Sequence, residues 1–186
     1  MESPSEKDLL QGARAFDMET LAYIYDSYSP AIFRYAARML DSTQLGEDCV
    51  SETFSRFLSA LRQGKGPEDF LRAYLFRTAH NWITDYYRSK PHIIQTLEGD
   101  LTDKDHVPLP QDVERKLQGR AVMNALAQLT SDQRQVIALR FLEGWEIDEV
   151  ARAMEKPPGA IKALQHRALA RLRQLMQGEE EHADDE

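Results

Sequence analysis

Apolar side chains in this chain return every three or four positions and almost nowhere at every second one. Leu21, Ile24, Tyr25, Tyr28, Ile32, Tyr35, Ala36 and Met39 form one such series, and Val50, Phe54, Phe57, Leu58 and Leu61 form the next. That spacing gathers apolar groups on one face of an α-helix, whereas on a strand it would scatter them over both faces. No run of β-branched residues alternates with polar ones. An all-α fold is therefore expected, with a break or kink at Ser29-Pro30, a turn over 41–45, and helices over 46–61 and 70–88. RQGKGPED, residues 62–69, separates the last two, because two glycines and a proline are strong helix punctuation.

Residues 91–112 interrupt the pattern. They hold three prolines, one base against five acids and no period, and a structureless stretch of that length fits poorly inside one compact domain. The expectation is two small helical domains, residues 1–90 and 113–176, joined by a flexible acidic linker, 91–112, and followed by an acidic disordered tail, 177–186. A chain of 186 residues can support a modest core in each. The second domain should contain helices over 113–129, 131–143, 146–155 and 160–176. Thr130 with Gln133 makes a capping box, and Gly144 suits the position after a helix end.

Net charge is −8, but it is unevenly distributed: −2 over 1–90, −4 over 91–112, +4 over 113–176 and −6 over 177–186. The acidity thus belongs largely to the linker and tail, and does not argue against nucleic-acid binding by the rest. The basic helix GAIKALQHRALARLRQLM, residues 159–176, has Ile161, Leu164, Ala168, Leu172, Leu175 and Met176 on one arc. Its opposite arc presents Lys162, Ala163, His166, Arg167, Ala170, Arg171 and Arg173. Cations flanking alanines let a helix approach a DNA major groove while long side chains reach the phosphates; a solvated amphipathic face is the plainer alternative. Upstream, Ile147, Val150, Ala151 and Met154 mark a short helix joined to the basic one through Pro157-Pro158-Gly159, which makes a helix-turn-helix pattern.

Chemistry of other kinds is not expected. One cysteine, Cys49, fits a packed small apolar group, and His80, His92, His106, His166 and His182 lack metal-ligand spacing. No catalytic residues, metal or cofactor are expected. No basic segment precedes an apolar stretch at the amino terminus and no run of about eighteen apolar residues occurs, so no membrane insertion and a cytoplasmic location are expected.

LTSDQRQVIALRFLEGWEIDEVARAMEKPPGAIKALQHRALARLRQL resembles the promoter-reading carboxy-terminal domain of group 4, or extracytoplasmic-function, sigma factors of the bacterial sigma-70 family. GEDCVSETFSRFLSAL resembles the helix of that family which docks on the clamp coiled coil of RNA polymerase. LRAYLFRTAHNWITDYYRSK resembles the helix that engages the minus-ten element. Two departures stand out. Glu155 occupies the turn where the family commonly has glycine, and Ala160 and Ala163 stand where several members have Thr and Ser.

The resemblance implies a non-enzymatic factor that binds core RNA polymerase, at its clamp coiled coil and flap, and directs promoter recognition and DNA opening. It assigns core contacts to Asp48, Ser51, Glu52, Phe54 and Arg56, Phe54 being core, interface or both. Minus-ten DNA falls to Asn81, Asp85 and Arg88, Asp85 either touching DNA or orienting a neighbour, and to the loop residues Gln63, Gly64, Lys65 and Gly66 around a flipped base. Minus-thirty-five DNA falls to Ala160, Lys162, Ala163, His166, Arg167, Arg171 and Arg173. Trp82 and Tyr86 are better explained by the core stripe than by base stacking. The linker would thread the polymerase cleft or act as a spacer, and an anti-sigma factor is expected as a further partner. No additional regulatory domain is expected after Met176. The alternative is a stand-alone helix-turn-helix regulator that binds duplex DNA without polymerase.

Overall fold

The structure is a computed structural model and describes residues 4–89 and 124–183, the last seven by their backbone alone. The linker 91–112, most of the expected helix 113–129 and the end of the tail lie outside the described residues. No strand occurs among those described. The amino-terminal unit contains α1 (Glu6–Arg14), α2 (Met18–Leu40), α3 (Thr43–Arg62) and α4 (Leu71–Ser89). The carboxy-terminal unit begins with helical residues 124–127. It continues through α5 (Ser131–Ile137), a π-helical segment (Ala138–Leu142), α6 (Ile147–Met154) and α7 (Pro158–Ala183).

Local chemistry sets these boundaries. Ser42 accepts a hydrogen bond from the Leu45 amide at 3.3 Å, so α3 starts at Thr43 and the expected 41–45 turn contracts to Asp41 and Ser42. Asp41 takes the left-handed φ of 50° that ends α2. The Thr130–Gln133 box is present, with each side chain accepting from the other residue's amide, at 3.3 and 3.1 Å. Gly144 has φ 69°, as the turn after the π segment requires.

Three expectations need correction. The α2 helix runs through Pro30 without ending there; apolar contacts of Ile24, Ile32 and Tyr35, all buried, hold both halves in one helix despite the lost amide. The expected 131–143 helix becomes π-helical from Ala138. The α7 helix continues past Met176 to Ala183, so residues 177–183 of the expected disordered tail are helical. Good helix formers outnumber the one glycine, Gly178, in that stretch.

The two units share one apolar core. Ile24, Ile32, Tyr35, Phe57, Leu75 and Phe76 of the first are continuous with Leu139, Trp145, Val150 and Ile161 of the second. Trp145 is fully buried, its ring meets Phe76 edge-on at 4.8 Å, and the Arg72 guanidinium lies over it at 4.2 Å. Charge lines the same seam: Glu143, its side chain only 4% exposed, is held by Arg34 at 3.4 Å and Arg38 at 3.5 Å. Arg72 reaches Glu149 at 3.6 Å, and Arg77 pairs with Glu155.

His80 is buried at this seam. Its Nδ1 lies 2.7 Å from the Tyr35 hydroxyl and its Nε2 lies 3.4 Å from the Ser131 hydroxyl, so the neutral ring satisfies one donor and one acceptor role. Burial pushes its pKa down to about 4; nearby Asp132 raises it, and Arg134 and Lys156 lower it further. The unfolded chain therefore takes up this proton first. The associated stability is complete above about pH 6.5 and lost as pH falls toward 4, by about 3 kcal/mol if the ring acts alone. Thermal melts between pH 7 and pH 4 should show the decline, and His80→Gln should flatten it; equal slopes would remove His80 from the cause.

Cys49 is buried, as expected for a packed small group. Its Sγ lies 3.7 Å from the Ala79 carbonyl, and burial pushes the thiol up to about 12. A thiolate at neutral pH is thereby disfavoured.

Candidate nucleic-acid interface

The basic helix has the two faces its sequence implies. Ile161 and Ala168 are fully buried, and Ala168 packs with Leu126, Leu129, Ile137 and Leu172. Lys162, Ala163, His166, Arg167, Arg171 and Arg173 are exposed, and Ala160 is half-buried. None of the four cations pairs with a carboxylate among the described residues. Their charge is available to an anion brought from outside. Met176 departs from the expected core arc at 46% exposed, because the helix has by then run beyond the elements it packs on.

The turn before α7 settles the departure at Glu155. Lys156 donates from its amide to Ala151 at 3.0 Å and Glu155 to Arg152 at 3.3 Å, the paired bonds of a Schellman ending, with Glu155 at φ 52°. The turn keeps the left-handed geometry that glycine would favour. A side chain there costs about 1–2 kcal/mol, and this one spends its length reaching Arg77 of the other unit.

On α4, Asn81, Asp85 and Arg88 lie exposed on one side, and Arg88 meets Asp85 at 3.2 Å. That contact gives Asp85 an orienting role toward Arg88. Trp82 and Tyr86 stack at 5.8 Å and are partly buried against the core, as the core stripe requires. The loop after α3 closes with Gly64 at φ 68° and the Lys65 amide donating to Ala60 at 2.9 Å. Gln63, Gly64 and Lys65 are exposed, and Gly66 is half-buried against Leu61. Loop and stripe thus flank the two ends of α4, with Arg14 tying the loop down through the Pro67 carbonyl at 2.8 Å.

On α3, Asp48 and Ser51 are exposed and the Arg56 guanidinium donates to Glu52 at 2.7 Å. Phe54 is 7% exposed and packs on Tyr25 at 4.8 Å, which places it mainly in the core. The remaining polar residues form one solvent-facing strip. No group of three or more His, Cys, Asp or Glu able to hold a metal occurs among the described residues. No described helix is long and apolar enough to cross a membrane.

These faces agree with the matches to known families and proteins. Sigma-70 region 2 matches residues 24–92, and Sigma-70, region 4 matches residues 125–174. The SigX sigma factor of Bacillus subtilis is 31% identical over 177 residues, covering 90% of this chain and 90% of that protein. The chain belongs to the extracytoplasmic-function sigma factors. The BldN sigma factor of Streptomyces coelicolor is 33% identical over 91% of this chain, and the match spans 65% of that protein's length. Among solved structures, CnrH in complex with the cytosolic domain of CnrY superposes with a TM-score of 0.69. It covers 93% of this chain and 97% of that one at 21% identity, a likeness of fold.

As a sigma factor, the protein is a non-enzymatic initiation factor that works with core RNA polymerase and promoter DNA, and the stand-alone regulator reading falls away. Sequence reasoning did not pick out the seam residues Arg77, Glu143 and Trp145. Nothing in their local spacing announces contacts to partners so distant along the chain.

Proposed function

We propose that this sigma factor docks on core polymerase through the α3 strip of Asp48, Ser51, Glu52 and Arg56, with Phe54 supporting it from beneath. Minus-ten DNA is engaged by Asn81 and Arg88, by Asp85 through Arg88, and by the loop Gln63, Gly64, Lys65 and Gly66. The α7 face of Lys162, His166, Arg167, Arg171 and Arg173 engages minus-thirty-five DNA, where Ala160 and Ala163 offer methyl groups to base edges. In this reading residues 1–90 and 113–176 are the working domains, 91–112 joins them, and the protein acts in the cytoplasm. The observation that carries it is the coexistence, on one chain of this family, of two separate exposed polar faces suited to DNA.

Purified protein mixed with core polymerase should co-elute and give promoter-specific run-off transcripts. Asp48→Arg with Arg56→Glu should abolish co-elution while leaving the melting temperature within a few degrees, since both side chains lie at the surface. Retained co-elution would move the core contact elsewhere. An anti-sigma factor covering the same faces is the regulatory partner this reading supplies. A pull-down that never recovers a stoichiometric inhibitor counts against that part alone.

A further inference from the structure

Arg77 lies one helical turn before Asn81 on α4, and positions 77, 81, 85 and 88 follow the i, i+4, i+8, i+11 spacing of one face. It also lines a groove of about 320 Å³ with Pro67, Phe70 and Tyr74, where the loop after α3 meets the helix. Arg77 therefore joins the two parts of the minus-ten surface. In the closed chain, however, its guanidinium is engaged by the carboxylate of Glu155, which reaches across the seam from the left-handed turn before α7. Arg152 of the same unit covers Phe70 at the groove's edge, 4.3 Å from its ring. A carboxylate on a guanidinium occupies the donors a phosphate would use.

We propose that Arg77 is an additional phosphate-binding residue for single-stranded DNA, and that Glu155 masks it by taking the phosphate's place while the two units are closed. The inference rests on the minus-ten reading of α4. It also explains a side chain at a position where glycine would be the less strained choice: glycine keeps the turn but leaves Arg77 uncovered. The Glu155 side chain is 69% exposed and that of Arg77 33%, so the pair is open to water and salt, and a polyanion can displace it.

The test uses the free, full-length chain and a fluorescein-labelled single-stranded DNA 12-mer of mixed sequence, read by anisotropy at 50 mM salt. Glu155→Gly should bind about three- to tenfold more tightly than the unaltered chain, with an equal or higher melting temperature because the turn is relieved of its side chain. Arg77→Gln alone should bind as the unaltered chain does, its charge being masked already. Arg77→Gln with Glu155→Gly should lose the gain, and its salt slope should fall below that of Glu155→Gly by about 0.7, the value for one phosphate contact on a single strand. No gain in Glu155→Gly, whether binding is unchanged or undetected, overturns the proposal, and so does a gain that survives loss of Arg77. Run-off transcription by the unaltered chain with core polymerase separates the two levels. Specific transcripts without the DNA gain leave the sigma-factor reading standing and remove only the masking.

Discussion

Trp145→Ala lowers the melting temperature by about 10 °C in a thermal denaturation of the whole chain. Truncating a large buried aromatic costs about 3–5 kcal/mol, and in a chain of this size each kcal/mol moves the midpoint by about 2–4 °C. Trp145 is fully enclosed between Phe76 of α4 and the carboxy-terminal helices, so its loss opens a cavity in a core that both units share. Trp145→Phe provides the control. Its Nε1 has no hydrogen-bond partner among the described residues, so phenylalanine removes an unsatisfied donor along with some volume, and the net cost should stay under about 2 kcal/mol. A shift below about 2 °C for the alanine variant would show that the seam does not form in solution.

Binding to duplex DNA should respond as steeply to the loss of three surface charges. With Lys162, Arg167 and Arg171 all changed to glutamine, polymerase holoenzyme should lose about two to three orders of magnitude in affinity for a duplex minus-thirty-five fragment near 0.1 M salt. The slope of log affinity against log salt should fall by about 2.7, because each phosphate contact on duplex DNA contributes about 0.9. The melting temperature should change little, since all three side chains are exposed. An unchanged salt slope would mean that this face does not meet phosphate, and α7 would revert to a solvated amphipathic helix.

The sequence exposed local features most clearly. The Thr130–Gln133 box, the left-handed Gly144 and the buried Ile161 and Ala168 opposite exposed cations all follow from residues within a few positions of one another. Family-specific motifs extended that to the docking and minus-ten helices. What spacing could not provide was the partner of a residue remote in sequence. Glu143 has an unremarkable acidic setting until α2 brings Arg34 and Arg38 against it, more than a hundred residues away. Boundaries failed for a related reason. Pro30 would end an isolated helix, but apolar packing on both sides of it carries α2 through. Phe70, assigned to the start of α4, instead adopts φ 49°, and the Leu71 amide after it is capped from α1 by Glu6 at 2.5 Å. No local rule links those two segments.

The π-helical segment Ala138–Leu142 gives this protein an unusual sensitivity to length. A π turn holds one more residue than the α turn it replaces. Shortening it by a single residue would restore regular winding, yet everything downstream would rotate by about 100° relative to α5. Glu143 would leave its two arginines and Trp145 would turn away from Phe76, although neither had been substituted. In this region, therefore, a deletion is a different kind of event from a replacement: it changes which way the helix-turn-helix faces while leaving every contact-making side chain in the sequence.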